Sequence, residues 1–166
     1  FKQEIIKCKS TGKNVTYNMP YNQNYKGNKN KNLTDGMIGS KENFRDGYYQ
    51  GFWGTDFEVV IDLGQKTEFS EIHATFFQYY LSWIILPKSV TYSISDNGKD
   101  FKKISTINNQ ISLMKEGKFK YDFSMQNKIF NAQYVKINAK NVGKLPKEHP
   151  AAGSDAWIFI DEIMIN

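Results

Sequence analysis

The sequence predicts an all-β domain, an antiparallel β-sandwich. Three observations predict it: short segments alternating apolar and polar residues, Gly, Asn, Asp and Pro punctuation between them, and no segment with a convincing amphipathic helical stripe. In chain order, Phe57 to Asp62 alternates and stops at Leu63-Gly64, and Glu71 to Tyr79 is rich in β-branched and aromatic residues. Ser89 to Ser95 follows and stops at Asp96-Asn-Gly98, a strong turn signal. Lys118 to Phe123 and Gln133 to Ala139 alternate cleanly, and Trp157 to Ile165 reads as a long last strand. At least six strands without interleaved helices favour an antiparallel β-sandwich or barrel, of which a sandwich is expected. Residues 20 to 56, rich in Gly, Asn, Tyr and Asp, lack such runs and predict a long ordered loop, the usual place for function on a rigid sandwich.

Composition sets bounds. The chain has 166 residues and 19.2 kDa, which predicts one domain over residues 1–166 burying roughly 70% of its unfolded surface. With 40% hydrophobic residues, 12 Phe, 10 Tyr and 3 Trp, it carries too much apolar material for a disordered chain. No apolar run approaches the ~20 residues of a membrane-spanning helix. The chain opens at Phe1 without an initiator Met, which reads as a mature piece or excised module of a larger protein. The lone Cys8 excludes an internal disulfide and a multi-thiolate metal site. The net charge of +5 admits an acidic partner, yet Arg45 is the sole arginine and the lysines are interspersed with Asn and Glu, which argues against nucleic acid.

Catalysis has little support. His73 falls on a predicted strand, His149 in a Pro-flanked loop, and no nucleophile elbow surrounds a Ser or Cys. Acid pairs such as Asp35 with Glu162, or Asp46 with Asp56, fit loop capping or a hard cation better than hydrolysis in a small β module. The segment Asn32-Leu-Thr-Asp-Gly-Met-Ile-Gly-Ser40 sets Asp35 and Ser40 around two glycines, a loop able to wrap calcium if a remote acid such as Glu162 completes the cage; a plain turn is the alternative. Aromatic residues crowd the loops: Tyr48, Tyr49, Phe52 and Trp53, then Tyr79, Tyr80 and Trp83. Aromatic plates flanked by Arg45, Asp46, Asp56, Gln78 and His149 suit sugars, whose C–H faces stack while their hydroxyls take directional hydrogen bonds. The competing reading is core packing, assigned above all to Trp157 and Phe159.

Leu33-Thr-Asp-Gly36, Gly51-Phe-Trp-Gly-Thr-Asp56, Val60-Ile-Asp-Leu-Gly64 and Phe159-Ile-Asp-Glu-Ile163 occur in an order and spacing that resembles a discoidin, or coagulation factor type C, domain. Within that group the chain is similar to the family 32 carbohydrate-binding modules. Thr75-Phe-Phe-Gln78, Trp83-Ile84 and His149-Pro-Ala-Ala-Gly153 resemble the module appended to bacterial β-N-acetylhexosaminidases and related secreted glycoside hydrolases. The resemblance implies an eight-stranded, jelly-roll-like sandwich and a structural calcium on Asp35, Ser40, Glu162 and the carbonyl near Leu33. It also implies an end-loop sugar site at the positions of Trp53, Asp56, Gln78, Tyr80 and His149, with Tyr49 beside them. The family's Arg and Asn pair after the third strand is replaced here by Gln78-Tyr-Tyr-Leu-Ser82. The function so implied is non-catalytic: targeting a parent glycoside hydrolase to glycans of the galactose, N-acetylgalactosamine or N-acetylglucosamine class, outside the cell, in the periplasm or at the cell surface. The alternative is a discoidin-like structural or adhesive domain that braces a catalytic domain, or binds protein or membrane through Tyr79 to Leu81 or Trp83 to Leu86.

Overall fold

The computed structural model describes residues 4–166. Nine strands form two antiparallel sheets. They are β1 (Asn14–Tyr17), β2 (Gln50–Trp53), β3 (Phe57–Phe69), β4 (Ile72–Tyr79), β5 (Ser89–Ser95), β6 (Lys102–Asn108), β7 (Lys118–Met125), β8 (Phe130–Lys140) and β9 (Trp157–Ile165). One sheet runs β1-β3-β8-β5-β6 and the other β2-β9-β4-β7. The expected sandwich is therefore present, with one strand more than the eight implied by the resemblance.

Alternation builds the core. Phe57, Val59, Ile61 and Leu63 of β3 face Ile158, Ile160, Ile163 and Ile165 of β9 across the sandwich, with Phe76 and Phe123 between them at right angles, 5.6 Å apart. The Tyr92 hydroxyl on β5 donates to the Phe123 carbonyl on β7, so its polar end is satisfied inside an apolar layer.

Three strands lay outside the sequence reading, and each breaks a pattern. The four-residue β1 is an edge strand shorter than an alternation test needs, and in β6 the first two positions are both exposed lysines, Lys102 and Lys103. Within the stretch expected to be all loop, β2 carries Gly51, a residue disfavoured in strands. A Cβ there would lie 2.8 Å from the Phe159 ring and 2.9 Å from Tyr25 Cβ, so close ring packing requires the glycine. Nor does β3 end at Gly64: the residue sits at φ +86° where the pairing with β8 shifts register, and the strand runs on to Phe69.

The loop from 20 to 49 is ordered by short 3₁₀ turns at Gln23–Tyr25 and Lys29–Thr34 and lies over the outer face of the four-stranded sheet. Tyr25, Phe44 and Tyr49 pack on the outward rings of Phe77 and Phe159, making a second core. Lys120 pins this lid: its ammonium donates to the Gly39 carbonyl and to the buried Asp161 carboxylate.

Candidate functional site

Two places gather candidate functional side chains. The first is the sandwich end where β2 and β4 finish and β9 begins. Because Ile158 and Ile160 face inward, Trp157 and Phe159 face out. Trp157 lies directly opposite Trp53 in the β2–β9 pairing, with ring centroids 4.8 Å apart. Trp83 joins them at 6.0 Å from Trp53. Trp53 and Trp83 remain 39% and 38% exposed, so the trio forms a ledge open to solvent. Trp83 holds a left-handed backbone (φ 62°, ψ 17°), unfavourable for a bulky residue. Its amide donates to the Tyr80 carbonyl (3.0 Å) and its carbonyl accepts from the Trp157 amide (2.9 Å), which locks the indole at the ledge.

Behind the ledge, Tyr25 stands edge-on to Trp157 at 5.3 Å and to Phe159 at 4.8 Å. Phe44 closes the wall and carries the Arg45 guanidinium 5.1 Å above its ring. A cleft of about 160 Å³ lies between this wall and Trp83, and another of about 460 Å³ opens on the far side of Tyr25 and Phe44.

The other sequence-predicted sugar contacts have structural work. Asp56 is at the same end, but Oδ2 takes the Lys140 ammonium at 2.6 Å and Oδ1 the Asn141 amide at 2.9 Å. Gln78 is fully buried: its carbonyl accepts from the Leu86 amide, while its amide donates to the carbonyls of Ser112 and Lys115. His149 and Tyr80 are buried against each other, ring centroids 4.3 Å apart. The Ala151 amide donates to His149 Nδ1, leaving Nε2–H to donate to the Tyr80 carbonyl, each at 2.9 Å. Tyr49 is buried under the loop, its hydroxyl on the Ser40 carbonyl at 2.9 Å, and burial pushes its phenol pKa up. Polar residues at strand ends here satisfy loop carbonyls that water cannot reach. Gln78, Tyr80, His149 and Tyr49 are thus corrected from ligand contacts to packing. Trp157 moves the other way, from expected core to ledge; the inward isoleucines beside it were the sequence signal.

The second place lies on β9, where a bulge sets both Asp161 and Glu162 against Thr75 of β4. Asp161 accepts from the Gly39 amide (2.9 Å), and Glu162 Oε1 accepts from the Gly36 amide (3.2 Å). Gly36 must be glycine: its φ is +78°, and a Cβ would stand 2.5 Å from the Ile6 carbonyl oxygen. Asp35 accepts from the Met37 amide (3.0 Å) and the Asn28 side-chain amide (2.9 Å). Glu162 Oε2 is buried without a hydrogen-bond partner among the described residues. Burial, then the negative charge of Asp35, raises the Glu162 pKa to about 9.

The structure thus brings Asp35 and Glu162 together. Leu33 sits in the main core and fixes the turn before Asp35. The Ser40 hydroxyl is turned elsewhere, accepting from the amides of Glu42 and Asn43 to close its own turn. The described residues contain no group of three or more His, Cys, Asp and Glu side chains arranged for a metal, so a cation here must draw mainly on carbonyl oxygens beside the two acids. An unpartnered buried carboxylate oxygen beside a second acid fits such a cation.

No family model matches the chain, and no curated protein matches it. Solved structures do. Chitosan-binding module 1, derived from the chitosanase/glucanase of Paenibacillus sp. IK-5, is 11% identical with a TM-score of 0.59 over 97% of this chain and 99% of that one. A CBM32 module from Clostridium perfringens in complex with GalNAc-β-1,3-galactose is 15% identical, with a TM-score of 0.56 over 92% and 94% of the two chains. The CBM32 of AlyQ in complex with 4,5-unsaturated mannuronic acid is 14% identical, with a TM-score of 0.52 over 92% of both. At these identities the likeness establishes a shared β-sandwich fold.

Proposed function

We propose that this chain is a non-catalytic carbohydrate-binding module whose sugar-binding surface is the ledge of Trp53, Trp83 and Trp157. The observation that carries the reading is that three indoles sit together, half-open, at one end of a sandwich, one of them held in a strained conformation. Sugar C–H faces stack on such plates, and one shallow ledge gives weak single-site binding, a Kd on the order of 0.1–1 mM, strengthened by multivalency. The shared fold with carbohydrate-binding modules, one taken from a chitosanase/glucanase, supports this reading.

The proposal extends to a module of the discoidin type, similar to family 32, that holds a parent glycoside hydrolase of the hexosaminidase class near galactose- or N-acetylhexosamine-containing glycans in a secreted bacterial protein. Calcium is its proposed structural ion. Asp35 and Glu162 would hold it with main-chain carbonyls, and its charge would neutralise two close carboxylates that otherwise repel.

A glycan array with Trp53→Ala and Trp83→Ala tests the site. Each is expected to weaken binding of the folded protein at least tenfold, with folding checked by circular dichroism; unchanged binding removes the ledge from the site. A bracing or adhesive role is the second reading, favoured by Leu81, 65% exposed beside the ledge. Co-sedimentation with liposomes, lost on Leu81→Ser, would select it.

A further inference from the structure

The wall beside the ledge has a charge pattern that stacking alone does not require. Arg45, Phe44 and Tyr25 line both clefts, so the guanidinium stands at the saddle between them. Among the described residues no carboxylate lines either cleft. The acids nearby are already engaged. Asp46 turns its oxygens onto the amides of Ser40 and Tyr48, Asp56 pairs with Lys140, and Asp155 pairs with Lys144. Arg45 itself makes no ion pair among the described residues; its contact is the Phe44 ring. On the other side of Phe44, whose ring lies 6.3 Å from that of Tyr79, the Lys118 ammonium sits 5.1 Å over the Tyr79 ring. It donates to the Glu42 carbonyl and likewise has no acid partner among the described residues.

We infer that the ligand is an acidic glycan, a chain of sugars bearing carboxylate or sulfate groups, with an anionic group on Arg45 and adjoining sugar rings in the two clefts. This deepens the sugar-binding reading and rests on it. An arginine fork matches the paired oxygens of a carboxylate or sulfate, and the Phe44 ring 5.1 Å beneath it holds the guanidinium in place at the saddle. The two clefts meeting at one cation suit a chain rather than a single sugar. An uncharged glycan can stack on the same rings but gives the fork no anion.

The test is calorimetric titration of the whole chain with three oligosaccharides of equal length: oligogalacturonate (carboxylate only), a sulfated galactan fragment (sulfate only) and neutral galacto-oligosaccharide. One acidic ligand is expected to bind about tenfold tighter than the neutral one, and whichever does identifies the anionic group. Arg45→Gln, a change at an exposed position, should bring that ligand down to the neutral level. Lys102→Gln, which removes the same unit of charge from an exposed site at the opposite end of the sandwich, should change binding less than twofold. Equal affinity for neutral and both acidic chains, no effect of Arg45→Gln, or an equal effect of Lys102→Gln would each overturn the acidic-glycan inference. In those cases Trp53→Ala still separates the readings. If it abolishes what binding remains, the sugar site stands without its charge preference; if no glycan binds the folded protein, both fall.

Discussion

Replacing Glu162 with Gln probes the unpartnered oxygen on β9 and the ion proposed to sit on it. Without a cation, Glu162 keeps its proton in the folded chain up to about pH 9, whereas in the unfolded chain it ionises near 4.5. Between those values the folded state binds more protons, so stability must fall as pH rises, by about 1.4 kcal/mol per pH unit. From pH 6 to 8 that is roughly 3 kcal/mol, and at ~2–4 °C per kcal/mol for a chain of this size the metal-free Tm should drop by about 6–12 °C. Calcium acts in the opposite sense. It needs the carboxylate ionised, so binding releases a proton and tightens up to about tenfold per pH unit below pH 9. At a hundredfold excess over Kd it adds about 2.7 kcal/mol, or ~5–11 °C. In Glu162→Gln the neutral amide mimics the protonated acid. The metal-free variant should therefore lose the Glu162 share of the Tm fall from pH 6 to 8, keep only the smaller slope from His73, and gain nothing from calcium. Thermal melts of both proteins at pH 6, 7 and 8, in chelator or excess calcium, read all of this. A wild-type Tm indifferent to both calcium and pH, or a variant that still responds to calcium, would refute the reasoning.

Other expectations follow from the same geometry. Gln78→Ala strands two loop carbonyls and the Leu86 amide and should cost about 2–4 kcal/mol in denaturant melts, with glycan affinity of the folded fraction unchanged. Gly51→Ala drives a methyl group into Phe159 and Tyr25 and should lower both Tm and ligand affinity, since Tyr25 also supports Trp157. For His73, burial lowers the pKa, but hydrogen bonds to Asp122 (2.6 Å) and Glu71 (3.4 Å) outweigh it and raise the pKa above 6.5. A raised folded-state value means its stabilisation is complete below pH 6.5 and lost as pH climbs through the folded-state pKa. In the Glu162→Gln background, where only one of the two groups titrates, His73→Gln should flatten the remaining slope of Tm between pH 6 and 8.5.

The strands that read well in the sequence are rich in β-branched and aromatic residues and follow Pro or Gly punctuation: β5, after Pro87, and β9, after Gly153, carry the boundaries expected from the sequence. Those that did not are short, at an edge or glycine-bearing, where pairing rather than side-chain pattern makes the strand. The position of Trp53 at the sandwich end and, at the β9 bulge, the closeness of Asp35 to Glu162 were readable from the motifs. The roles of Gln78, Tyr80 and His149 were not, because an amide or imidazole that hydrogen-bonds a sugar is the same residue type that satisfies a buried loop carbonyl. Only burial separates the two uses. Ser40 shows a similar ambiguity, with a hydroxyl that suits a cation spent on its own turn.

The chain's three tryptophans all stand on the one ledge. Intrinsic fluorescence and the near-ultraviolet circular dichroism of the coupled indoles are therefore optical signals from a single locality rather than averages over the molecule. A ligand that stacks there perturbs every indole emitter in the protein at once, and an event confined to the Asp35–Glu162 locus registers only if it propagates through the Tyr25, Phe44 and Phe159 rings. The unlabelled protein thus carries a built-in reporter that distinguishes occupancy of the ledge from a change elsewhere in the fold.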